Sequence, residues 1–576
     1  MYKQGKRFAT SVMLVVMATL AVLLAACGSN PGSTTGSSKA PDDKQVFVYP
    51  VAGTPDLSDM DPAFAGGPIG PTLIYTGLVQ LNEKQQLIDQ LAQSHSVSAD
   101  GLTWTFKLRP NLKFSDGSPL TSQDIVYSIN RALEPALKSP YAMVYLGLIK
   151  DADKLQTGAV KTLVDDSLLA PTPDTVKIIT KQKAAYFLQT MTYVTSYPVN
   201  KKLVDKYGKN FVDHLGEGAG AGPFIMSKYD QGRQMTFTPN PYYYGPKPAL
   251  KKVIMAYYKD SETIYKVYET NQVSYAKIPT AKLASASNLP NNQFHLVPIL
   301  GVQYYAMNYL AKPFNNIKIR QAFDLAINKD QIANKVLRGS AIPTNNIVPP
   351  GMPGHNPDLT GPAGVTSTKG DQAKAKQLFA EGLKEENLTL SSLPPITLSI
   401  YATSQDDTNQ AVAVQQMWQE VLGVQVKIDT VDVNKLFSEL DSTTNNPNGL
   451  QMWSSYWKAD YPDPQNWLTT LFAPESSFDN YNYGNNHAKD IVDQKKALDL
   501  MRQADGEMDI TTRLKLYNQA EQQVVNDAGW IPLYQMETGK ALKPCVKGYD
   551  INAPFMPAPD SWSNIYISND KPCTNV

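Results

Sequence analysis

Asp460 and Asp463 stand three positions apart in Trp457-Lys458-Ala459-Asp460-Tyr461-Pro462-Asp463-Pro464, where aromatic rings surround two carboxylates. Such a pair could serve glycoside hydrolysis, yet its spacing favours that chemistry no more than a solvated loop. Other catalytic layouts are missing: the chain has no GxSxG, no HExxH, no Walker A loop and no CxxC pair. The five histidines (His95, His214, His295, His355, His487) are scattered singly and read as structural or exposed rather than as bases or metal ligands. Gly216–Gly222 contains a GxGxxA match, but it follows a polar helical stretch and runs into Pro223-Phe224. A dinucleotide loop leaves a strand and opens a helix, so this run lacks the required context. No catalytic residue, metal or cofactor is assigned, and an enzyme, in the form of a secreted hydrolase, is the minority reading.

The three cysteines carry the remaining chemistry. Lys3, Lys6 and Arg7 precede an apolar run from Phe8 to Ala26, the layout of a secretory signal. The run closes on Leu24-Ala25-Ala26-Cys27, and small residues before such a cysteine resemble the bacterial lipoprotein box. That resemblance implies cleavage before Cys27 and lipid attachment to it. Removal of residues 1–26 takes away three positive charges and no negative ones. Residues 27–45, rich in Ser, Gly, Thr and Pro, bury nothing and read as a flexible leash. Cys545 and Cys573, 28 positions apart in an oxidising compartment, read as a disulfide tying down the C-terminal tail, with two free thiols as the alternative.

The elements that would position a site alternate between strand and helix. Thr103–Leu108 alternates apolar and polar residues as a half-buried strand does. Thr121-Ser122-Gln123-Asp124 then opens a helix with a capping-box pattern, turning Ile125, Ile129 and Leu133 inward. Within 314–337, Ile319, Ala322, Phe323 and Ala326 form a buried helical stripe; Val414, Met417, Trp418 and Val421 form another, stopped by Gly423. Val424, Val426 and Ile428 alternate as the next strand, and a helix over about 507–528 precedes a strand at Trp530–Tyr534. The class is α/β with mixed sheets. A chain of 576 residues supports two or three domains. Its 53 basic and 53 acidic side chains argue against a nucleic-acid partner. The lack of repeated apolar 20-mers excludes a polytopic membrane protein.

Several ordered blocks resemble the bacterial extracellular solute-binding proteins of family 5, the peptide-binding components of ABC importers. The most diagnostic runs from Trp104 to Arg131 (WTFKLRPNLKFSDGSPLTSQDIVYSINR). Others are Asp61-Pro62, Ala221-Gly222-Pro223-Phe224, Asn240-Pro241-Tyr242, Asn308 with Pro313 to Ala322, and Trp457 to Pro464. The resemblance spans about residues 46–570 and implies a type II periplasmic-binding-protein-like, two-lobed clamshell with an extra inserted subdomain. Lobe I would combine 46–90, 200–300 and 530–576; the subdomain would be 91–199 and lobe II 301–529, with hinges near 296–306 and 529–540.

It also implies a function: a monomeric receptor, lipid-anchored outside the bacterial cell membrane, closing on peptides and delivering them to a membrane permease with its ATPases. An oligosaccharide, opine or metal chelate is the same-family alternative. In peptide-binding members the aspartate matching Asp460 pairs with the ligand's α-ammonium. The resemblance places Tyr141, Tyr304, Tyr305 and Asn308 along the cleft, and Trp457 and Trp453 as walls of side-chain pockets, with core packing as the alternative for the aromatics. The chain departs from the oligopeptide pattern where a basic residue and a histidine face the ligand's C-terminus: the aligned positions hold Ser454 and Asp407. A glutamate of the early cleft loop is replaced around Gly66-Gly67.

Overall fold

The computed structural model describes residues 38–575 apart from 54, 56, 66–68, 403, 477 and 553–557. Cys27, with the signal and most of the leash, lies outside the described residues, as do Gly66 and Gly67.

One four-stranded sheet orders Val46–Ala52, Lys252–Tyr258, Gln234–Pro239 and Phe224–Asp230, the first pair parallel and the others antiparallel. Phe47, Phe224 and Phe237 from this sheet pack with Tyr75, Phe211 and Trp562, so lobe I draws its core from three distant parts of the chain. Cys545 and Cys573 are joined by a disulfide beside that core.

A second four-stranded sheet is antiparallel throughout: Ala92–Val97, Thr103–Leu108, Thr175–Ile179 and Leu168–Thr172. Trp104, Phe106 and Leu108 point inward while the residues between them face out, the period-2 pattern of a one-sided core. Helix Ser122–Leu133 lays Ile125, Ile129 and Leu133 on that core, and the Asp124 carboxylate accepts the Thr121 N–H at 2.8 Å. From the helix end, the buried Arg131 donates to both oxygens of Asp61 at 3.0 and 2.6 Å.

The largest sheet, seven-stranded, belongs to both lobes. Its central strands are long, Phe294–Met307 and Trp530–Leu542. The ends Phe294–Pro298 and Glu537–Ala541 pair with each other, and Tyr275–Lys277 of lobe I pairs with the second strand at Lys540–Leu542. Past a register shift between Pro298 and Val302, the same strands pair again inside lobe II, where Met452–Lys458, Ile396–Ile400 and Val426–Thr430 extend the sheet. Two strands thus cross between the lobes without a break. Lobe II has a core on each face of this sheet, one containing Tyr305, Leu398 and Trp418, the other Tyr304, Trp453 and Trp530.

Local readings are refined in three places. The stripe at 314–337 is helix Ile317–Leu325, then a break, then Lys329–Gln331 and a π turn at Ile332–Val336. Asn328 restarts the helix by accepting the Gln331 N–H at 3.0 Å, so side-chain capping interrupts the apolar stripe. The last long helix is Ile510–Asn526, packed against a preceding helix Ile491–Gly506. The strand expected at Trp530–Tyr534 runs on to Leu542.

Candidate ligand-binding site

Where strand Met452–Lys458 leaves the large sheet, the chain enters a loop that touches the inserted subdomain. Asp463 fixes this loop: Arg513, from helix Ile510–Asn526, donates to both of its oxygens at 2.7 and 2.6 Å, in full burial. Asp463 also caps the short turn Pro464–Asn466 by accepting the Gln465 N–H at 2.9 Å. Tyr461 joins the core of the inserted subdomain and stacks on Tyr186, rings 6.3 Å apart, while its hydroxyl donates to Gln465 Oε1 in its own loop. A further contact between the lobes is Gln85 Nε2 donating to the Gly351 carbonyl at 3.1 Å.

Asp460 sits within this junction. Asn466 Nδ2 donates to Oδ2 at 3.0 Å, while Asn466 Oδ1 accepts the Asp460 N–H at 2.9 Å and the Trp457 indole N–H at 3.3 Å. From the inserted subdomain, the Tyr145 hydroxyl donates to Asp460 Oδ1 at 3.2 Å. Tyr145 lies flat on Tyr193, centroids 3.7 Å apart, and the Tyr193 hydroxyl donates to the Ala65 carbonyl at 3.0 Å. Among the described residues no cation pairs with Asp460. Burial raises its pKa above the usual aspartate value, and the bonds from Asn466 and Tyr145 offset part of that rise. A half-buried carboxylate with neutral donors and no counter-ion is suited to a cation brought from outside.

A backbone feature borders the carboxylate. Strand Met452–Lys458 pairs along one edge with Gly301–Met307, whereas on the other edge only Met452 and Trp453 meet Leu398 and Ser399. Among the described residues no strand covers that edge from Ser454 to Lys458. Its N–H and C=O groups form a template for an extended chain.

The aromatics expected along the cleft divide. Trp457 is half-buried, tied to Asp460 through Asn466 and edge-on to Phe478 at 5.1 Å. Tyr141 is half-buried, its ring 6.2 Å from Tyr193. The other four expected residues are buried, the three aromatics in the core packing that was their alternative. Trp453, 2% exposed, stacks on Tyr481 inside lobe II. Tyr304 packs on Trp530 and shares a hydrogen bond of 3.1 Å with the Tyr481 hydroxyl. Tyr305, fully buried on the opposite face, receives a bond from Gln410 Nε2 at 3.3 Å. Asn308 is also fully buried and braces a turn, donating to the Asn446 carbonyl and accepting from Asn482. These four serve the lobe II core because the strand carrying Tyr304 and Tyr305, like its neighbour carrying Trp453, has packed layers on both sides, and Asn308 directly follows the first of them.

Tyr145, Tyr193 and Asn466 were missed by sequence reasoning. Tyr145 stands four positions after Tyr141, which is the N-cap of helix Ala142–Leu146, and that i, i+4 spacing was the available signal.

Comparison with known proteins agrees with this architecture. Oligopeptide-binding protein OppA of Bacillus subtilis is 30% identical over 536 residues, covering 91% of this chain and 93% of its own length. Periplasmic murein peptide-binding protein MppA of Escherichia coli is 29% identical over 524 residues, covering 89% of this chain and 91% of its own length. An unliganded open form of MppA superposes with a TM-score of 0.76 at 26% identity, covering 93% of this chain and 99% of that one. Residues 86–479 match the bacterial extracellular solute-binding proteins, family 5. With this match and the extended identity to OppA, the chain belongs to that family.

Proposed function

We propose that this protein captures peptides outside the cell and presents them to the membrane permease of an ABC importer. The observation that carries the reading is the half-buried Asp460 carboxylate at the junction of the lobes, with no cation paired to it among the described residues. A peptide's α-ammonium supplies that cation, and its backbone can pair along the open edge of Ser454–Lys458. Such contacts do not depend on ligand side chains, which suits a receptor for varied peptides. Tyr145 and Asp460 come from different lobes, so a ligand held between them binds the closed arrangement better and shifts the equilibrium toward it. The family is one of binding proteins, and this chain is read as returning its ligand intact. Lipid on Cys27 would hold the receptor at the membrane. Fatty-acid labelling should tag the wild type and leave Cys27→Ser unlabelled and released; a labelled variant would end that reading.

Calorimetric titration of wild type, Asp460→Ala and Asp460→Asn with a free and an N-acetylated peptide tests the site. Loss of the carboxylate strands a cation in the closed cleft, so affinity should fall by about 2–5 kcal/mol, which is about 30-fold to several thousand-fold. Acetylation should abolish tight binding to the wild type yet change binding to Asp460→Ala little. Losses that simply add would show that Asp460 does not meet the amine. Affinity should also fall in acid, beginning above the usual aspartate range because the unliganded carboxyl is shifted upward. Peptide recovered cleaved after the titration would favour the hydrolase.

A further inference from the structure

The positions aligned with the oligopeptide branch's basic residues are engaged elsewhere in lobe II: the Ser454 hydroxyl accepts from Gln303 at 3.0 Å, and Asp407 accepts the Ser404 N–H at 2.9 Å. Positive charge gathers instead on one face of the hinge sheet. Lys458 ends the strand with the open edge, two residues before Asp460. Its side chain crosses Gly301 beside Met536: a Cβ at Gly301 would lie 3.1 Å from Lys458 Cγ and 3.2 Å from Met536 Sδ. Met536 and Lys540, four residues apart on an unbroken stretch, project from the same face. Lys277 of lobe I stands directly opposite Lys540, as does His295, and therefore shares that face.

Lys540 donates to the Ile551 carbonyl at 2.8 Å. Among the described residues neither Lys277 nor Lys458 is paired with a carboxylate; the Lys458 ammonium lies over the Tyr456 ring, 4.9 Å from its centre. Burial pulls the Lys458 pKa below the ordinary lysine value, and the Lys277 charge acts in the same direction.

We propose that Lys277 and Lys458, one from each lobe, form the carboxylate-binding site of the ligand cleft. The inference rests on the peptide reading of that cleft. Two ammonium groups drawn together at a hinge repel each other, and a carboxylate between them removes the repulsion while accepting a charge-assisted bond from each. Because the lysines come from different lobes, a shared anion favours closure as Asp460 and its ammonium do. Lys458 ends its strand two residues before Asp460, a separation that an extended chain spans in about 7 Å, roughly two residues of extended ligand. The carboxylate is therefore the C-terminus of a short peptide or an acidic side chain near the N-terminus of a longer one.

Calorimetry on wild type, Lys277→Met and Lys458→Met separates these sources. One arm compares dialanine with its C-terminal amide; the other compares pentaalanine carrying Glu or Gln at position two. In at least one arm the wild type should prefer the carboxylate form by about tenfold, and each substitution should bring that ratio close to one. Peptide binding with ratios near one in both wild-type arms, or ratios unchanged in both variants, overturns the lysine site and leaves the peptide reading standing. No binding of any of the four peptides overturns both.

Discussion

Glu521 is a carboxyl group that the fold keeps neutral. It lies fully within lobe II, where Oε1 accepts the N–H groups of Ile347 and Val348 at 2.9 and 2.8 Å while Oε2 has no partner among the described residues. Burial pushes its pKa up to about 8, the two backbone bonds acting in the opposite direction. The unfolded chain loses this proton near the ordinary glutamate value, so between there and about pH 8 the native state binds more protons and stability falls as pH rises. The contribution is fully present below the unfolded pKa and is lost through the folded one. Glu521→Gln keeps an acceptor for both N–H groups and removes the titration. Thermal melts from pH 5 to 8 should show the wild type losing stability relative to the variant by about 1 kcal/mol per pH unit; parallel curves would refute the assignment. At this scale the sequence disclosed the fold's pins better than its binding surface. Asp61, Arg131, Arg320 and Asp463 all fall in the motif blocks, and each makes a buried ion pair. Tyr304 and Tyr305 could not be assigned in advance, because a strand buried on both faces has no polar face to reveal direction.

Local rules were most legible where one residue type meets one backbone need. Helix Gln405–Leu422 begins at Ser404, whose hydroxyl and Asp407 form a capping box, and ends at Gly423, with φ of 73°. A Cβ at Gly423 would meet only Leu390 Cδ1 at 3.7 Å, so Gly423→Ala tests backbone conformation rather than crowding. The expected loss is about 1 kcal/mol, with Gly423→Asn losing less; urea denaturation of both variants measures it, and equal, negligible losses would contradict it. The hinge strands were harder to read. Trp530–Leu542 carries buried apolar residues at its start, then Glu537 and Lys540, because its second half serves a different lobe. A pattern learned from one environment ends where the environment changes. The open edge beyond Trp453 was also hidden, since the length of the neighbouring strand decides it.

Across the whole molecule, lobe I is assembled from chain segments far apart in sequence, and its last segment needs a tether. The Cys545–Cys573 bond closes 28 positions around Trp562, which inserts into the lobe I core. Replacing both cysteines by serine should lower stability by about 3 kcal/mol through restored freedom of the unfolded tail. Non-reducing peptide mapping should recover the two residues as one linked species; freely alkylated thiols in the folded protein would refute the tether. The loop from Ala459 to Asp463 bears on how such a receptor can diversify. It presents the Asp460 carboxylate, lends Tyr461 to the opposite lobe and is pinned by Arg513. Under the proposed function, ligand anchor and latch are encoded in five consecutive residues, so a substitution there should alter capture and closure together. A lineage acquiring new tastes is channelled away from this loop toward the open strand edge and the rings around it, where a change of pocket leaves the latch intact.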